Sequence, residues 1–210
     1  MKLLSYTESH LDIKKVAKII KEGYTICYPT ETLYGLGCNC EDQRAIDKIY
    51  DIKKREKEKN FTLLFKDLNM LSDNCETSDS EARLINKFSP GPFSIVLKVK
   101  KQSSINSKII SPNKEVCCRI SSHPFVIRLF EVLDTPIVST SANLSGNNNI
   151  FLFKTIYNTF HNLVDCIIDY GDINKSLGST IVKETSSDLV IIREGDLSSS
   201  LIMDFYDGKS

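Results

Sequence analysis

A segment rich in polar side chains and glycines follows the first strand-like run of the sequence. It covers residues 29–37, Pro-Thr-Glu-Thr-Leu-Tyr-Gly-Leu-Gly, and holds two hydroxyls, a carboxylate, a phenol and two glycines. Loops at strand ends are where α/β folds bind ligands, so this segment is a candidate ligand loop. A turn whose threonines cap backbone groups explains the same residues equally well. The residues alone leave both interpretations open.

A second cluster is cationic and consists of Lys53, Lys54, Arg55, Lys57 and Lys59. It lies at the predicted end of a helix, where cations offset the helix dipole, and that is the usual role of such residues. Lys53 and Arg55 stand two residues apart where the helix gives way to a loop, so they are also placed to share one anion. A charge-assisted bond to phosphate contributes about 1.5–3 kcal/mol. Two or three such bonds would hold a triphosphate and steady a pyrophosphate leaving group.

A third cluster covers residues 139–146, Ser-Thr-Ser-Ala-Asn-Leu-Ser-Gly, and is predicted to follow a short strand directly. Its hydroxyls and its amide suit phosphate and sugar oxygens without adding charge. An Asx or Ser turn explains the same residues, and taken alone they favour that turn. Arg119, at a predicted strand end, and Arg193, before Gly195, are weaker candidates of the same kind. His123 precedes a proline and is predicted to cap a helix or to pack.

Alternating helices and strands are predicted to position these clusters. Apolar residues at helical spacing and an N-cap at Asp42 indicate the helices. The predicted helices cover residues 13–20, 43–52, 80–88 and 124–133. The predicted strands cover residues 24–28, 61–65, 93–99, 115–120, 136–140, 166–169, 180–182 and 189–193. This alternation predicts an α/β fold with a mixed, twisted sheet.

Length and composition limit the class of protein. The 210 residues suit one domain, predicted over residues 1–196, with a serine-rich tail over residues 197–210 that frays. Twenty-seven basic residues balance twenty-seven acidic ones, which argues against general electrostatic binding to nucleic acid or membrane. No apolar run is long enough to span a membrane, and residues 1–10 contain no leader-like stretch. Seven cysteines without a Cys-x-x-Cys pair and three scattered histidines indicate reduced thiols, a cytoplasmic setting and no metal site.

In their order along the chain, the motifs resemble those of the YrdC/TsaC-type threonylcarbamoyl-AMP synthases over residues 13–195. The matching motifs are Pro-Thr-Glu-Thr-Leu-Tyr-Gly-Leu at 29–36, Lys-x-Arg at 53–55, Pro-Gly-Pro at 90–92, Arg119 with His123-Pro124, Ser-Thr-Ser-Ala-Asn at 139–143 with Ser-Gly at 145–146, Ser-Thr at 179–180, and Arg193 with Gly195. Residues 60–68 and 193–195 are more similar to the YciO branch. The chain keeps the Lys-x-Arg and Ser-x-Asn motifs that the YciO branch often lacks.

The resemblance implies a single-domain, twisted mixed α/β sheet with flanking helices and a concave, positively charged face. It implies a reaction of L-threonine, bicarbonate and ATP that gives L-threonylcarbamoyl-AMP and pyrophosphate, with Mg²⁺ accompanying the triphosphate. A partner complex would then transfer the threonylcarbamoyl group to tRNA in N6-threonylcarbamoyladenosine modification. We expect a cytoplasmic monomer or weak dimer with no membrane partner. The alternative is a noncatalytic, YciO-like protein that binds double-stranded RNA or tRNA.

The resemblance also implies a role for individual residues. The ATP-binding residues would be Lys53, Arg55, Lys59, Ser141, Asn143 and Arg193. The threonine-binding residues would be Thr32, Arg119, Ser139 and Ser179, with Arg119 at the carboxylate. Lys53 and Arg55 would also be catalytic, because cations gather where negative charge builds up. The chain departs from the family pattern at Glu56, Ser121 and Glu194, where proline is usual, and at Leu64, where many members have a histidine that touches threonine.

Overall fold

The computed structural model of the protein describes residues 2–5, 12–54, 61–186 and 188–209. Within these residues the chain forms ten strands and seven α-helices. The strands are β1 Lys2–Ser5, β2 Ile26–Tyr28, β3 Gly35–Asn39, β4 Thr62–Leu64, β5 Phe93–Lys98, β6 Glu115–Arg119, β7 Ile137–Ser141, β8 Cys166–Asp169, β9 Thr180–Glu184 and β10 Leu189–Arg193. The helices are α1 Ile13–Lys21, α2 Gln43–Lys53, α3 Leu68–Asn74, α4 Asp79–Phe88, α5 Pro124–Phe130, α6 Phe153–Phe160 and α7 Ser199–Tyr206, with a 3-10 turn at Ser107–Ile109.

All ten strands join one mixed sheet in the order β1-β8-β2-β3-β7-β4-β6-β5-β9-β10. Strand β8 pairs in parallel with β1 and β2, β4 pairs in parallel with β6, and β5 pairs in parallel with β9. The other neighbours pair antiparallel. The predicted α/β class and mixed sheet are therefore confirmed.

Side-chain caps begin five of the seven described α-helices, α1 to α5. Asp42 accepts hydrogen bonds from the first turn of α2, as its position in the sequence predicted. Ser78 and Glu81 form a reciprocal capping box at the start of α4. The ring nitrogen Nδ1 of His123 accepts a hydrogen bond from the backbone of Phe125 at 3.1 Å, so His123 caps α5 as expected.

Helices cover the two faces of the sheet unequally. Strand side chains alternate between faces, so Ile137 and Val138 of β7 belong to different apolar clusters. The larger cluster packs α2, α3, α4, α6 and α7 against one face. The smaller cluster packs α1 and α5 against the other face, over β2, β8 and the start of β7. Leu64 is fully buried in the smaller cluster. Among the described residues, no helix covers the rest of that second face.

Three sequence expectations differ from the structure. Residues 35–37 belong to β3, although they were expected to form a loop after a strand, and β7 continues to Ser141, one residue beyond the strand predicted over residues 136–140. Glycine and serine are poor strand signals, and pairing with neighbouring strands overrides that local preference. Residues 199–206 form α7, whose Ile202 is fully buried, where a fraying tail was expected. The domain boundary at residue 196 stays a prediction.

The cysteines and the helices give two further results. All seven cysteines are free, and six of them are buried, as expected of reduced thiols that pack as small apolar groups. Burial raises the pKa of Cys166 to about 11, so this thiol stays protonated. Among the described residues, no helix is both long enough and apolar enough to cross a membrane.

Candidate functional site

A cavity of about 260 Å³ opens on the part of the sheet that α1 and α5 leave uncovered. Six predicted site residues lie in its wall: Thr32, Arg119, Ser139, Ser141, Ser179 and Arg193. They come from five separate stretches of sequence that the sheet brings together. The cavity is somewhat smaller than the roughly 300–1,000 Å³ of pockets that enclose drug-sized ligands. It therefore suits a small polar molecule or one end of a larger one.

Strand alternation places Ser139 and Ser141 on the cavity face of β7. They pair with Gly37 and Gly35 of the neighbouring β3. A Cβ atom at Gly37 would lie 2.6 Å from the Val138 carbonyl oxygen and 2.7 Å from the ring of Tyr28. Only glycine lets the Tyr28 ring lie this close, and the Tyr28 hydroxyl donates to Ser139 Oγ at 2.8 Å. The hydrogen bond from Tyr28 thus sets the orientation of the Ser139 hydroxyl.

Arg119 ends β6 and lies almost fully buried in the cavity wall. Its Nε donates to the Gly91 carbonyl at 3.3 Å, and both terminal nitrogens lie 3.1 Å from Thr32 Oγ1. Its Nη2 also lies 2.7 Å from Glu31 Oε1. Burial alone raises the pKa of the Glu31 carboxyl, but the Arg119 charge and the Ser121 hydroxyl outweigh burial and hold it below its usual value. Glu31 and Arg119 therefore form a charged pair at neutral pH.

Ser179 also lines the cavity and is held by two other side chains. The Arg193 guanidinium donates to the Ser179 carbonyl from Nη2 at 2.6 Å and to Ser179 Oγ at 3.1 Å. The buried hydroxyl of Ser94 donates to Ser179 Oγ at 2.8 Å. Burial and the nearby Arg119 charge lower the pKa of Arg193. A Cβ atom at Gly195 would lie 2.4 Å from the backbone on either side of Ser179, so only glycine allows the chain to pass there.

Lys53 leaves the end of α2 and reaches the turn that follows β7. Its side chain is 1% exposed. Its Nζ donates to the Ser141 carbonyl, to the Asn143 carbonyl at 2.9 Å and to Asn143 Oδ1 at 3.0 Å. Ser141 Oγ in turn donates to Asn143 Oδ1 at 2.7 Å. The structure thus joins Lys53, Ser141 and Asn143 in one polar network. Lys53 therefore does more than offset the dipole of α2.

Not every predicted residue falls within this description. Arg55 and Lys59 lie outside the described residues. Lys53 and Asn143 are not part of the cavity wall, although Ser141 links them to it. The described residues contain no group of three or more His, Cys, Asp or Glu side chains suited to a metal ion.

Three supporting residues were not predicted from the sequence: Tyr28, Glu31 and Ser94. Glu31 stood within the first polar segment, but its charge gave no indication of its partner. Ser94 gave a weak signal, as the one serine in a predicted strand that is otherwise apolar except for Lys98. Tyr28 and Ser139 are 111 residues apart in the sequence, and Ser94 and Ser179 are 85 residues apart. Local sequence patterns carry no information on contacts between residues so far apart.

The sequence model of the Sua5, YciO and YrdC proteins, described as "Telomere recombination", matches residues 18–195. The chain belongs to the Sua5/YciO/YrdC family. The family's solved structures confirm the predicted fold. Sua5 from Pyrococcus abyssi, solved with L-threonine, superposes with a TM-score of 0.88 at 27% identity over 99% of this chain and 61% of that one. Escherichia coli YciO superposes with a TM-score of 0.85 at 28% identity over 94% and 96% of the two chains.

The chain is also similar in sequence to curated members of the Sua5/YciO/YrdC family that are named threonylcarbamoyl-AMP synthases. The threonylcarbamoyl-AMP synthase of Pyrococcus abyssi is 30% identical over 88% of this chain and 54% of its own length. The synthase of Vibrio vulnificus strain YJ016 is 28% identical over 88% of this chain and 98% of its own length. The chain thus spans about half of the archaeal relative and nearly all of the bacterial one.

Proposed function

We propose that the protein is a threonylcarbamoyl-AMP synthase, which joins L-threonine, bicarbonate and ATP into L-threonylcarbamoyl-AMP and releases pyrophosphate. One observation carries the proposal: Thr32, Arg119, Ser139 and Ser179, which the family resemblance had assigned to threonine, all line a single small cavity. The synthase relatives support this function over the noncatalytic RNA-binding alternative.

The cavity is proposed to hold the amino acid. The Arg119 guanidinium suits the carboxylate, because a planar cation with several donors matches two carboxylate oxygens. The hydroxyls of Thr32, Ser139 and Ser179 suit the remaining polar groups of threonine. Each of these side chains is held by another protein group, so little side-chain freedom is lost when the substrate binds.

The network next to the cavity is proposed to hold ATP. Ser141 lies both in the cavity wall and in the Lys53–Asn143 network, so the two substrates would meet there. Lys53, Asn143 and Arg193 would contact the nucleotide, and we assign Arg55 and Lys59 to the same role from the sequence. Lys53 and Arg55 would stabilise the charge that develops as pyrophosphate leaves.

The Mg²⁺ that accompanies ATP is proposed to arrive with the triphosphate. The described residues offer no cluster of carboxylates for a protein-held ion, and the Glu31 carboxylate is engaged by Arg119 and Ser121. Mg²⁺ commonly keeps several waters and binds phosphate oxygens, so it belongs to the substrate here.

The proposed reaction has two steps. The neutral amine of threonine forms a C–N bond with the carbon of carbon dioxide and loses a proton, or it forms the same bond with bicarbonate and water leaves. Either route gives a carbamate. A carbamate oxygen then attacks the α-phosphorus of ATP, and the bond to the β-phosphate oxygen breaks to release pyrophosphate. The cavity contributes by positioning the reacting groups. Transfer of the product to tRNA by a partner complex, the cytoplasmic location and the monomeric or weakly dimeric state remain proposals.

Pyrophosphate release tests this function. Purified protein with Mg²⁺-ATP, L-threonine and bicarbonate should release pyrophosphate and form a product with the mass of threonylcarbamoyl-AMP. Omitting threonine or bicarbonate should abolish both signals. Release that does not depend on threonine would contradict the proposal, and a panel of other amino acids would show whether another one is the substrate.

A further inference from the structure

Glu31 occupies a position directly behind the cavity wall. Its neighbours Thr30 and Thr32 line the cavity, whereas Glu31 itself does not. Its side chain is only 16% exposed. The carboxylate therefore points away from the space where a substrate would bind, toward the buried side of Arg119.

Both oxygens of the Glu31 carboxylate are engaged. Oε1 lies 2.7 Å from Nη2 of Arg119, whose own side chain is 8% exposed. Oε2 accepts a hydrogen bond from the Ser121 hydroxyl, two residues beyond Arg119 in the chain. Ser121 is itself buried. Ser121 thus fixes the carboxylate through Oε2, and the carboxylate fixes the Arg119 guanidinium through Oε1.

Arg119 is consequently fixed from three directions. Nε donates to the Gly91 carbonyl, and Nη1 and Nη2 both donate to Thr32 Oγ1. Nη2 also forms the ion pair with Glu31. Since Arg119 and Thr32 line the cavity and Glu31 lies behind them, the remaining donor capacity of the guanidinium faces the cavity. These contacts hold the otherwise flexible Arg119 side chain in one orientation.

Charge gives a second reason for the carboxylate. Arg119 and Arg193 line the same cavity of about 260 Å³, and two like charges that line one small cavity repel each other. Within the described parts of the chain, no carboxylate forms an ion pair with Arg193, whereas Glu31 compensates Arg119. Removing one partner of a buried pair leaves an uncompensated charge, so without Glu31 the Arg119 side chain would turn toward water.

We propose that Glu31, braced by Ser121, is a positioning residue that holds the Arg119 guanidinium in the orientation needed for the carboxylate of the amino-acid substrate. The proposal rests on the proposed synthase function, because it takes an amino acid as the ligand of the cavity. It assigns to Glu31 an action through Arg119 and no direct contact with substrate.

The test compares Glu31→Gln with the unchanged protein. Threonine binding is measured by calorimetry without ATP, and the kinetic constants for threonine and ATP are measured by pyrophosphate release. A misplaced guanidinium should weaken threonine binding and raise its KM by about tenfold or more. The KM for ATP should stay within about twofold, because uniform damage to the fold would raise both constants. Glu31→Asp, which keeps the charge, should recover part of the loss, and Ser121→Ala should lie between Glu31→Asp and the unchanged protein.

Two further variants separate positioning from general destabilisation. Glu184→Gln removes a carboxylate that binds Ser78, Ser80 and Tyr206 and does not line the cavity, and threonine binding should be unchanged. In an Arg119→Gln background, adding Glu31→Gln should cause no further loss, because Glu31 acts only through Arg119. Thermal unfolding of each variant shows whether it folds. If Glu31→Gln does not fold, the test uses Glu31→Asp and Ser121→Ala instead.

The outcomes distinguish this inference from the proposed function. If the unchanged protein binds no threonine and releases no pyrophosphate, the proposed function fails. If it binds threonine and Glu31→Gln binds equally well, or if the two losses add in the double variant, the positioning role of Glu31 is wrong while the function stands.

Discussion

At the scale of single residues, Lys53 has a role that its type and position leave undecided. A lysine at a helix end usually offsets the helix dipole from an exposed position. Lys53 is buried and donates to three oxygens of the turn at residues 141–143. Its neighbour Lys54 is exposed and takes a left-handed conformation that ends α2. The two adjacent lysines therefore provide a matched pair.

Lys53→Ala is expected to lower kcat/KM for ATP by about 10²-fold or more, the size seen when one donor to a developing charge is removed. It should also lower the free energy of unfolding without ligands, because the Ser141 and Asn143 oxygens lose their cation. Pyrophosphate release and urea unfolding measure the two effects. Lys54→Ala should keep nearly full activity, and an equal loss in both variants would refute the assignment of Lys53.

His123 makes stability depend on pH. Burial lowers the pKa of its ring from the ordinary 6.5 to about 4, and the Glu31 charge opposes this only in part. In the unfolded chain the ring binds a proton near pH 6.5, so between pH 6.5 and 4 the unfolded state holds more protons. The free energy of unfolding should therefore fall as pH drops through this window. Above pH 6.5 this group should contribute no slope.

Urea unfolding of the protein and of His123→Asn between pH 7 and pH 4 tests this expectation. Asparagine is a good N-cap, so the variant should retain α5 while losing the titrating ring. Its unfolding free energy should depend less on pH than that of the unchanged protein. Equal slopes for the two proteins would show that His123 does not couple protonation to folding.

At the scale of elements, the pairing of β3 with β7 places the site hydroxyls. Local patterns predicted β7 over residues 136–140, one residue short of its end at Ser141, and they missed β3 altogether. Helices α3 and α6 and strand β1 were also not predicted, whereas α1, α2 and α4 were found because their apolar residues repeat at helical spacing. The polar strands line the cavity in place of an apolar core face, which removes the alternation that prediction relies on.

The close approach of Tyr28 to β3 gives a prediction at this scale. Gly37→Ala should destabilise the protein by about 1–3 kcal/mol, the usual cost of an added group in a filled site. It should also raise the KM for threonine, because Tyr28 would be displaced from Ser139. Gly35→Ala should have a smaller effect on both, since its added atom would lie no closer than 3.3 Å to Tyr28. Urea unfolding and threonine kinetics measure these effects, and a larger effect at Gly35 would contradict this explanation.

At the scale of the whole molecule, the site exists because helices cover one face of the sheet only in part. Helices α1 and α5 form the smaller apolar cluster, and the cavity lies on the uncovered part of the same face. The opposite face carries the larger cluster, to which α7 contributes. The serine-rich composition of residues 197–210 suggested a tail, yet Ile202 and Phe205 pack onto the body of the protein.

The packing of α7 is tested by a pair of adjacent residues. Ile202 is fully buried, whereas Leu201 is 56% exposed. Ile202→Ala should reduce the free energy of unfolding by about 2–5 kcal/mol, as for other large apolar residues in a core. Leu201→Ala should change it by no more than about 0.5 kcal/mol. If Ile202→Ala is as mild as Leu201→Ala in urea unfolding, residues 197–210 are the dispensable tail that the sequence suggested.

The sequence by itself determined the α/β class, the mixed sheet, the reduced cysteines and the residues that carry the family's motifs. These follow from local periodicity, composition and short spacings, which are properties of neighbouring residues. Only the tertiary structure decided that Thr32, Arg119, Ser139 and Ser179 share one cavity, that Glu31 lies behind Arg119, and that Lys53 is buried. These facts depend on the pairing of strands far apart in the chain and on which part of the sheet the helices leave uncovered.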